Sequence, residues 1–181
     1  MEYAGLYDPD SVPLAVGGTE DERWIPEIFR NLSEEEKRGI IASYYTSVEY
    51  MDKNVGLILD ELEQSGLEDR TLVVYLGDQG YLLNEHHRFE KHTMWAESIK
   101  APLLIRGRGY RPGTVVEDVA EFVDLVPTIY EALGIPDYEG LHGESLVPLM
   151  SGESSYPEDI AFAEYLEDNM AMVASRQWKY F

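Results

Sequence analysis

The feature that most restricts the fold of this chain is an apolar run that stops at a carboxylate. Residues 72–76, Leu-Val-Val-Tyr-Leu, lead into residues 77–80, Gly-Asp-Gln-Gly. A dense polar loop follows at residues 81–93, and it contains three of the chain's four histidines and a lysine. Open α/β sheets place their sites where the carboxyl end of a strand gives way to a loop of this kind. We therefore expect an α/β fold with its chemistry at this edge.

Hydrophobic periodicity predicts the elements around this strand. Ser33 and Glu36 form a capping box, and apolar residues then recur every three to four positions as far as Gly66, which predicts a long amphipathic helix. Further elements are predicted as a short helix at 93–100, a strand at 102–105, a helical stripe over 115–133 with Asp124 as cap and Pro127 near a helix start, a short helix at 146–150, and strands at 161–165 and 170–175. The alternation of strand and helix indicates the α/β class with a partly parallel sheet.

The composition excludes several functions. The chain has 181 residues, with 14 basic and 35 acidic side chains and a formal charge of −21. Nucleic acid and anionic membranes are excluded as partners, because binding to them depends on Lys and Arg. No apolar run approaches the roughly 18 residues of a membrane span, and no signal peptide is visible. The absence of cysteine excludes disulfides and thiolate metal sites.

Asp78 and Gln79 are the candidate metal ligands. A carboxylate and an amide oxygen at the end of one strand offer two hard donors, which suit calcium or magnesium. Two donors do not complete a calcium site of about six to eight oxygens, so the other ligands must come from elsewhere. We expect Gly80 to allow a sharp turn and to keep bulk away from the ion.

The polar loop reverses the acidic character of the chain. His86, His87, Arg88, Lys91 and His92 lie within seven positions. Beside a divalent cation, such a cluster can bind an oxyanion and stabilise charge on a leaving oxygen. The alternative is that some of these residues only balance neighbouring glutamates on the surface.

Several motifs together resemble the second half of type I sulfatases, which belong to the alkaline phosphatase superfamily. They are Leu76-Gly77-Asp78-Gln79-Gly80, Asn84-Glu85-His86, Glu90-Lys91-His92-Thr93, residues 102–107, residues 44–56, residues 123–128, residues 143–149 and Trp178-Lys179-Tyr180. The resemblance runs from about residue 36 to the last residue.

The resemblance implies an alkaline-phosphatase-like sheet sandwiched by helices, followed by the start of a small C-terminal antiparallel subdomain. Residues 1–155, with a loop-rich part at 1–32, would be the C-terminal portion of the catalytic domain, and 156–181 the first strands of a truncated subdomain.

The resemblance also implies roles for individual residues. Asp78 and Gln79 would bind calcium in preference to magnesium, together with two aspartates upstream. Lys91 would contact the sulfate and stabilise the leaving oxygen, and His86 and His92 would lie near the substrate. The expected partner is a sulfated small molecule or carbohydrate.

Several parts of the family pattern are missing from this chain, including the upstream aspartates and the nucleophile. The family nucleophile is a formylglycine made from the Cys or Ser of a Cys/Ser-x-Pro/Ala-x-Arg motif, and Ser11-Val12-Pro13-Leu14-Ala15 lacks the arginine. We therefore expect a segment of a sulfatase that is inactive alone, with its nucleophile in the N-terminal part.

Two alternatives stay open: a phosphodiesterase or phosphonate monoester hydrolase of the same superfamily, and a non-catalytic fragment that assembles with a partner chain. If the protein is like exported relatives, it is periplasmic or secreted.

Overall fold

The computed structural model of this chain describes residues 3, 5–136, 138–152, 160–165 and 169–181. In this part of the chain the α-helices are α1 (Glu27–Arg30), α2 (Glu34–Gln64), α3 (Ala96–Ile99), α4 (Leu125–Leu133) and α5 (Val147–Ser151). The strands are β1 (Val73–Leu76), β2 (Leu82–Leu83), β3 (Phe89–Glu90), β4 (Leu103–Arg106), β5 (Ile160–Tyr165), β6 (Met170–Ser175) and β7 (Lys179–Tyr180). The chain forms two compact units. The first contains Met1–Glu68 and Asp78–Ala101, and the second contains Asp69–Gly77 and Pro102–Phe181.

The long helix α2 begins and ends as predicted. The Ser33 hydroxyl accepts a hydrogen bond from the Glu36 nitrogen at 3.2 Å, and the Glu36 carboxylate accepts one from the Ser33 nitrogen at 2.8 Å. This reciprocal capping box satisfies two backbone donors at the helix start. Gly66 follows the helix in the left-handed conformation, with φ 67°, where a side chain would be strained. The 31 residues of α2 span about 46 Å.

Only the beginning of α2 is buried. The buried core of the first unit consists of Val12, Phe29, Ile41, Ala42 and Phe89. Of these, Ile41 and Ala42 are the only buried residues of α2. Apolar residues further along the predicted stripe, including Val48, Met51 and Ile58, are exposed. The periodicity therefore predicted the helix correctly, but not which part of its apolar face is covered within this chain.

The first 32 residues are more regular than predicted. They contain 3₁₀ helices at Pro9–Ser11 and Thr19–Trp24 as well as α1. Val12 and Phe29 contribute to the core, so this segment packs on the start of α2 through apolar side chains.

The strands of the second unit pair antiparallel. β1 pairs with β4, with Val74 opposite Ile105. β5, β6 and β7 form a three-stranded antiparallel sheet in that order. The small antiparallel C-terminal sheet is thus confirmed. The expectation of a partly parallel sheet is wrong for the described pairs, because alternation along the sequence does not fix strand direction.

The helix predicted over 115–133 is shorter in the structure. It is α4, preceded by a 3₁₀ turn at Phe122–Asp124, and Pro127 lies in its first turn. Proline is tolerated there because the first backbone N–H groups of a helix have no partner within the helix. α5 contributes Leu149 to a small core with Leu146, against which Leu103 and Ile105 pack.

The division into residues 1–155 and 156–181 stays a prediction, since the boundary between them falls within residues 153–159, outside the described part. None of the helices in the described ranges combines the length and the apolar character needed to cross a lipid bilayer.

Candidate functional site

All five predicted site residues lie in the first unit. Asp78 is exposed and lies two residues after the end of β1, and Gln79 is half-buried beside it. His86 and Lys91 are half-buried in the polar loop, and His92 is exposed. The structure therefore keeps each of these polar groups accessible to a ligand.

Gly80 fixes the backbone next to Asp78 and Gln79. Its nitrogen donates a hydrogen bond to the Ser98 carbonyl at 2.9 Å. A Cβ at Gly80 would collide with the Glu97 carbonyl oxygen and lie 2.6 Å from that of Lys100. Gly80 is not among the glycines with positive φ. The structure gives a reason for glycine at this position, which is its close approach to the α3 backbone. The predicted role of Gly80 in keeping bulk away from an ion stays a prediction.

The polar loop has an unusual backbone. Within the described ranges six residues other than glycine have positive φ, and five of them lie in this loop: Asn84 (82°), His86 (52°), His87 (57°), Glu90 (73°) and His92 (69°). Each such conformation costs of order 1–3 kcal/mol and persists only where the surroundings enforce it. Strain of this kind concentrates at binding and catalytic sites, so its position supports the site predicted from the sequence.

Buried contacts at the base of the loop enforce this conformation. The Asn84 side chain is buried, and its Nδ2 donates to the Ala15 carbonyl at 2.8 Å. The Asn84 backbone nitrogen donates to the Arg88 carbonyl at 2.8 Å. Leu82 and Phe89, on the short antiparallel pair β2–β3, are also buried. The ends of the loop are thus anchored to the core.

His86 is held on two sides. Its Nδ1 lies 2.9 Å from Asp21 Oδ2, and its ring stacks on Trp95 with centroids 4.0 Å apart. The hydrogen bond from His86 lowers the pKa of Asp21 below its ordinary value near 3.8, since it favours the charged carboxylate. Nε2 of His86 lies 3.8 Å from the Glu97 carboxylate. His86 is therefore positioned by the protein.

Sequence reasoning missed Asp21 and Trp95 as partners of His86. Asp21 is 65 positions away in the chain, and it lies in an acidic stretch that reads as solvated surface. No local signal could have identified it.

Three of the predicted site residues differ from His86 in their side-chain contacts: Asp78, Gln79 and Lys91. Within the described part of the chain, none of these three side chains forms a hydrogen bond or an ion pair. A carboxylate, an amide oxygen and an ammonium group in this state can bind a ligand without first breaking an internal contact.

The donor chemistry at Asp78 and Gln79 fits a hard cation. Both offer oxygen, which calcium and magnesium prefer. Among the described residues, no group of three or more His, Asp or Glu side chains is arranged to hold a metal ion. The donor types therefore suit a hard cation, and the assignment of Asp78 and Gln79 as metal ligands stays a prediction.

Comparison with solved structures defines the class of protein. The phosphonate monoester hydrolase from Silicibacter pomeroyi matches 96% of this chain and 44% of its own with a TM-score of 0.80 and 25% identity. A structure described as a complex with its substrate D-glucosamine-2-N,6-O-disulfate matches 79% of this chain and 31% of its own, with a TM-score of 0.74 and 27% identity. The fold is therefore the alkaline-phosphatase-like α/β fold of such hydrolases.

The family follows from the sequence comparisons. The sulfatase family model matches residues 10–135. Arylsulfatase K from the zebrafish Danio rerio is 34% identical over 158 residues, which are 83% of this chain. The chain belongs to the sulfatase family. It spans 30% of the length of that relative.

Proposed function

We propose that this chain is the C-terminal part of a sulfatase, and that the whole protein hydrolyses sulfate esters of carbohydrates. Its main support is Lys91, an ammonium group without an internal partner in the described part of the chain, on a strained loop inside the matched region. A similar solved protein is described with a disulfated glucosamine as its substrate. This description supports a sulfated carbohydrate as the substrate class.

Lys91 is proposed to act on the leaving group. In sulfate ester hydrolysis the bond between sulfur and the ester oxygen breaks, and negative charge builds on that oxygen. The Lys91 Nζ–H would donate a hydrogen bond to it, which stabilises the transition state more than the ground state. His86, held by Asp21, and His92 would contact the substrate around the sulfate.

Asp78 and Gln79 are proposed to supply part of a calcium site. When bound, calcium would neutralise charge on the sulfate oxygens. The remaining ligands, and the formylglycine nucleophile, are expected in the part of the sulfatase that these 181 residues do not include. The chain alone should therefore have no sulfatase turnover, with or without added calcium.

The decisive experiment uses the full-length protein. We expect it to release sulfate from 4-nitrophenyl sulfate and from glucosamine 6-sulfate, with chelation by EGTA lowering the rate. Lys91→Ala should lower kcat/KM at least about 100-fold, as removal of one transition-state donor does elsewhere. Lys100→Ala, an exposed lysine of the same unit, is the matched control and should leave the rate unchanged.

Three results would contradict the proposal: full activity of Lys91→Ala, turnover by the isolated chain, or a higher kcat/KM for a phosphonate monoester than for every sulfate ester. The last result would favour the phosphonate monoester hydrolase alternative. The similarity to the Silicibacter pomeroyi structure supports that alternative. Asp78→Asn should raise the calcium concentration needed for half-maximal rate.

A further inference from the structure

A second feature of the first unit lies outside the predicted sulfate and metal residues. Glu22, Ile25, Arg30 and His87 line an open cleft of about 250 Å³. Three of these residues come from the segment preceding α2, and His87 comes from the polar loop. None of the four has a role in the proposed sulfate chemistry.

Backbone groups hold the two basic residues of the cleft, Arg30 and His87, in place. A Cβ at Gly17 would lie 2.5 Å from the His87 ring, so the bare Gly17 backbone packs against the imidazole. The Arg30 Nε donates to the Ile25 carbonyl at 2.9 Å. Among the described residues, the Arg30 side chain makes this hydrogen bond through Nε. Its two terminal nitrogens therefore remain available to a ligand.

The lining residues offer three kinds of contact. The Arg30 guanidinium presents a planar fork that matches a carboxylate or a sulfate, and His87 adds a ring N–H donor. Glu22 can accept hydrogen bonds from hydroxyl or amine groups. Ile25 provides an apolar wall for the C–H face of a sugar ring. A volume of 250 Å³ is below the range of about 300–1,000 Å³ of drug-sized pockets, and suits one ring.

We infer that this cleft is a specificity subsite for the non-reacting part of a sulfated sugar, with an anionic substituent of the ring bound by Arg30 and His87. The inference rests on the proposed function. His87 is adjacent to His86 and four positions before Lys91 on the same strained loop. A sugar bound at His87 is therefore held by the loop that carries the proposed leaving-group donor.

Binding to the 181-residue chain tests the subsite without any turnover. The probes are glucosamine 6-sulfate, glucuronate, neutral glucose and inorganic sulfate, followed through the NMR signals of the His87 ring. We expect saturable shifts with both anionic sugars and at least tenfold weaker binding of glucose and of inorganic sulfate. Arg30→Ala should weaken binding of the anionic sugars at least tenfold. Arg23→Ala is the matched control, because Arg23 is exposed on the same segment and lies over the Trp24 ring outside the cleft.

Three outcomes would overturn the inference. They are unchanged sugar binding in Arg30→Ala, glucose binding as tightly as the anionic sugars, and inorganic sulfate binding as tightly as glucosamine 6-sulfate. The last would show a site for an anion alone. A circular dichroism spectrum like that of the unchanged chain should accompany each variant, and Arg30→Lys, which keeps the charge and loses the fork, should show an intermediate loss.

Turnover by the full-length protein separates this inference from the proposed function. Arg30→Ala should raise KM for glucosamine 2-N,6-O-disulfate several-fold with little change in kcat, since one sulfate of that sugar remains for the cleft while the other reacts. It should leave KM for glucosamine 6-sulfate and for 4-nitrophenyl sulfate unchanged, since the single sulfate of each is the one that reacts. If the protein hydrolyses no sulfate ester, the proposed function fails, while the binding experiment still decides whether the cleft accepts an anionic sugar.

Discussion

The hydroxyl of Thr128 accepts a hydrogen bond from the backbone nitrogen of Leu146 at 2.8 Å, and donates its own proton to the Asp124 carbonyl at 2.6 Å. Thr128 is fully buried, and Leu146 is 5% exposed. One hydroxyl therefore connects α4 to the residue that precedes α5, across 18 positions of sequence. Asp124 adds a second connection, because its Oδ1 accepts from the Glu144 nitrogen at 3.0 Å.

Replacing Thr128 by valine should destabilise the second unit by about 1–3 kcal/mol, because the shape is kept but the buried Leu146 N–H loses its acceptor. Amide hydrogen exchange is the specific measurement: exchange of the Leu146 amide should accelerate in Thr128→Val. Thr128→Ser keeps the hydroxyl and should preserve most of that protection. Equal exchange rates in the two variants would show that the hydrogen bond has no such role.

Substitution of Gly80 by alanine should destabilise the first unit strongly, by more than about 3 kcal/mol, because the added Cβ collides with the backbone carbonyls of Glu97 and Lys100. Gly56→Ala is the matched control. Gly56 lies within α2 with nothing near its Cβ position, so alanine there should stabilise the chain by about 0.5–1 kcal/mol. Urea denaturation measures the free energy of unfolding of both variants. Changes of the same sign and of similar size in the two variants would contradict the structure.

Two substitutions of Asn84 should separate backbone strain from side-chain bonding. Asn84→Gly removes the backbone strain that the positive φ of 82° causes, but it also removes the hydrogen bond to the Ala15 carbonyl. Asn84→Ala removes the bond and keeps the strain, so it should be less stable than the glycine variant by about 1–2 kcal/mol. Thermal or urea unfolding of the pair checks this ordering. An alanine variant as stable as the glycine variant would mean that the loop relaxes to another conformation.

The hydrogen bond between Asp21 and His86 predicts a pH dependence. The folded chain lowers the pKa of Asp21, chiefly through this bond. Stability from it is fully present above the ordinary pKa of this aspartate, near 3.8, and is lost as the pH falls through the lower folded value.

The test is a carboxyl NMR titration. In His86→Ala the pKa of Asp21 should rise towards its ordinary value, although the Gly18 nitrogen still donates to this carboxylate. His92→Ala, a change in the same loop, serves as control and should leave the Asp21 titration unchanged. An unaltered Asp21 pKa in His86→Ala would show that the bond is not formed in solution.

Patterns within one element were enough to predict that element. The capping box of Ser33 and Glu36 and the spacing of apolar residues predicted α2 nearly to the residue, because both signals act within a few turns of one helix. The apolar runs likewise predicted β1 and β4. The motifs around Asp78 and Lys91 indicated the sulfatase family, which the comparison of sequences confirmed.

Tertiary structure decided the features that depend on residues distant in sequence. It placed Asp21 against His86, Ala15 against Asn84, and the α3 backbone against Gly80, and it paired β1 with β4 antiparallel. Sequence periodicity reports which residues share a face of one element. Contacts between elements depend on how the chain folds back on itself, and no local pattern contains that information.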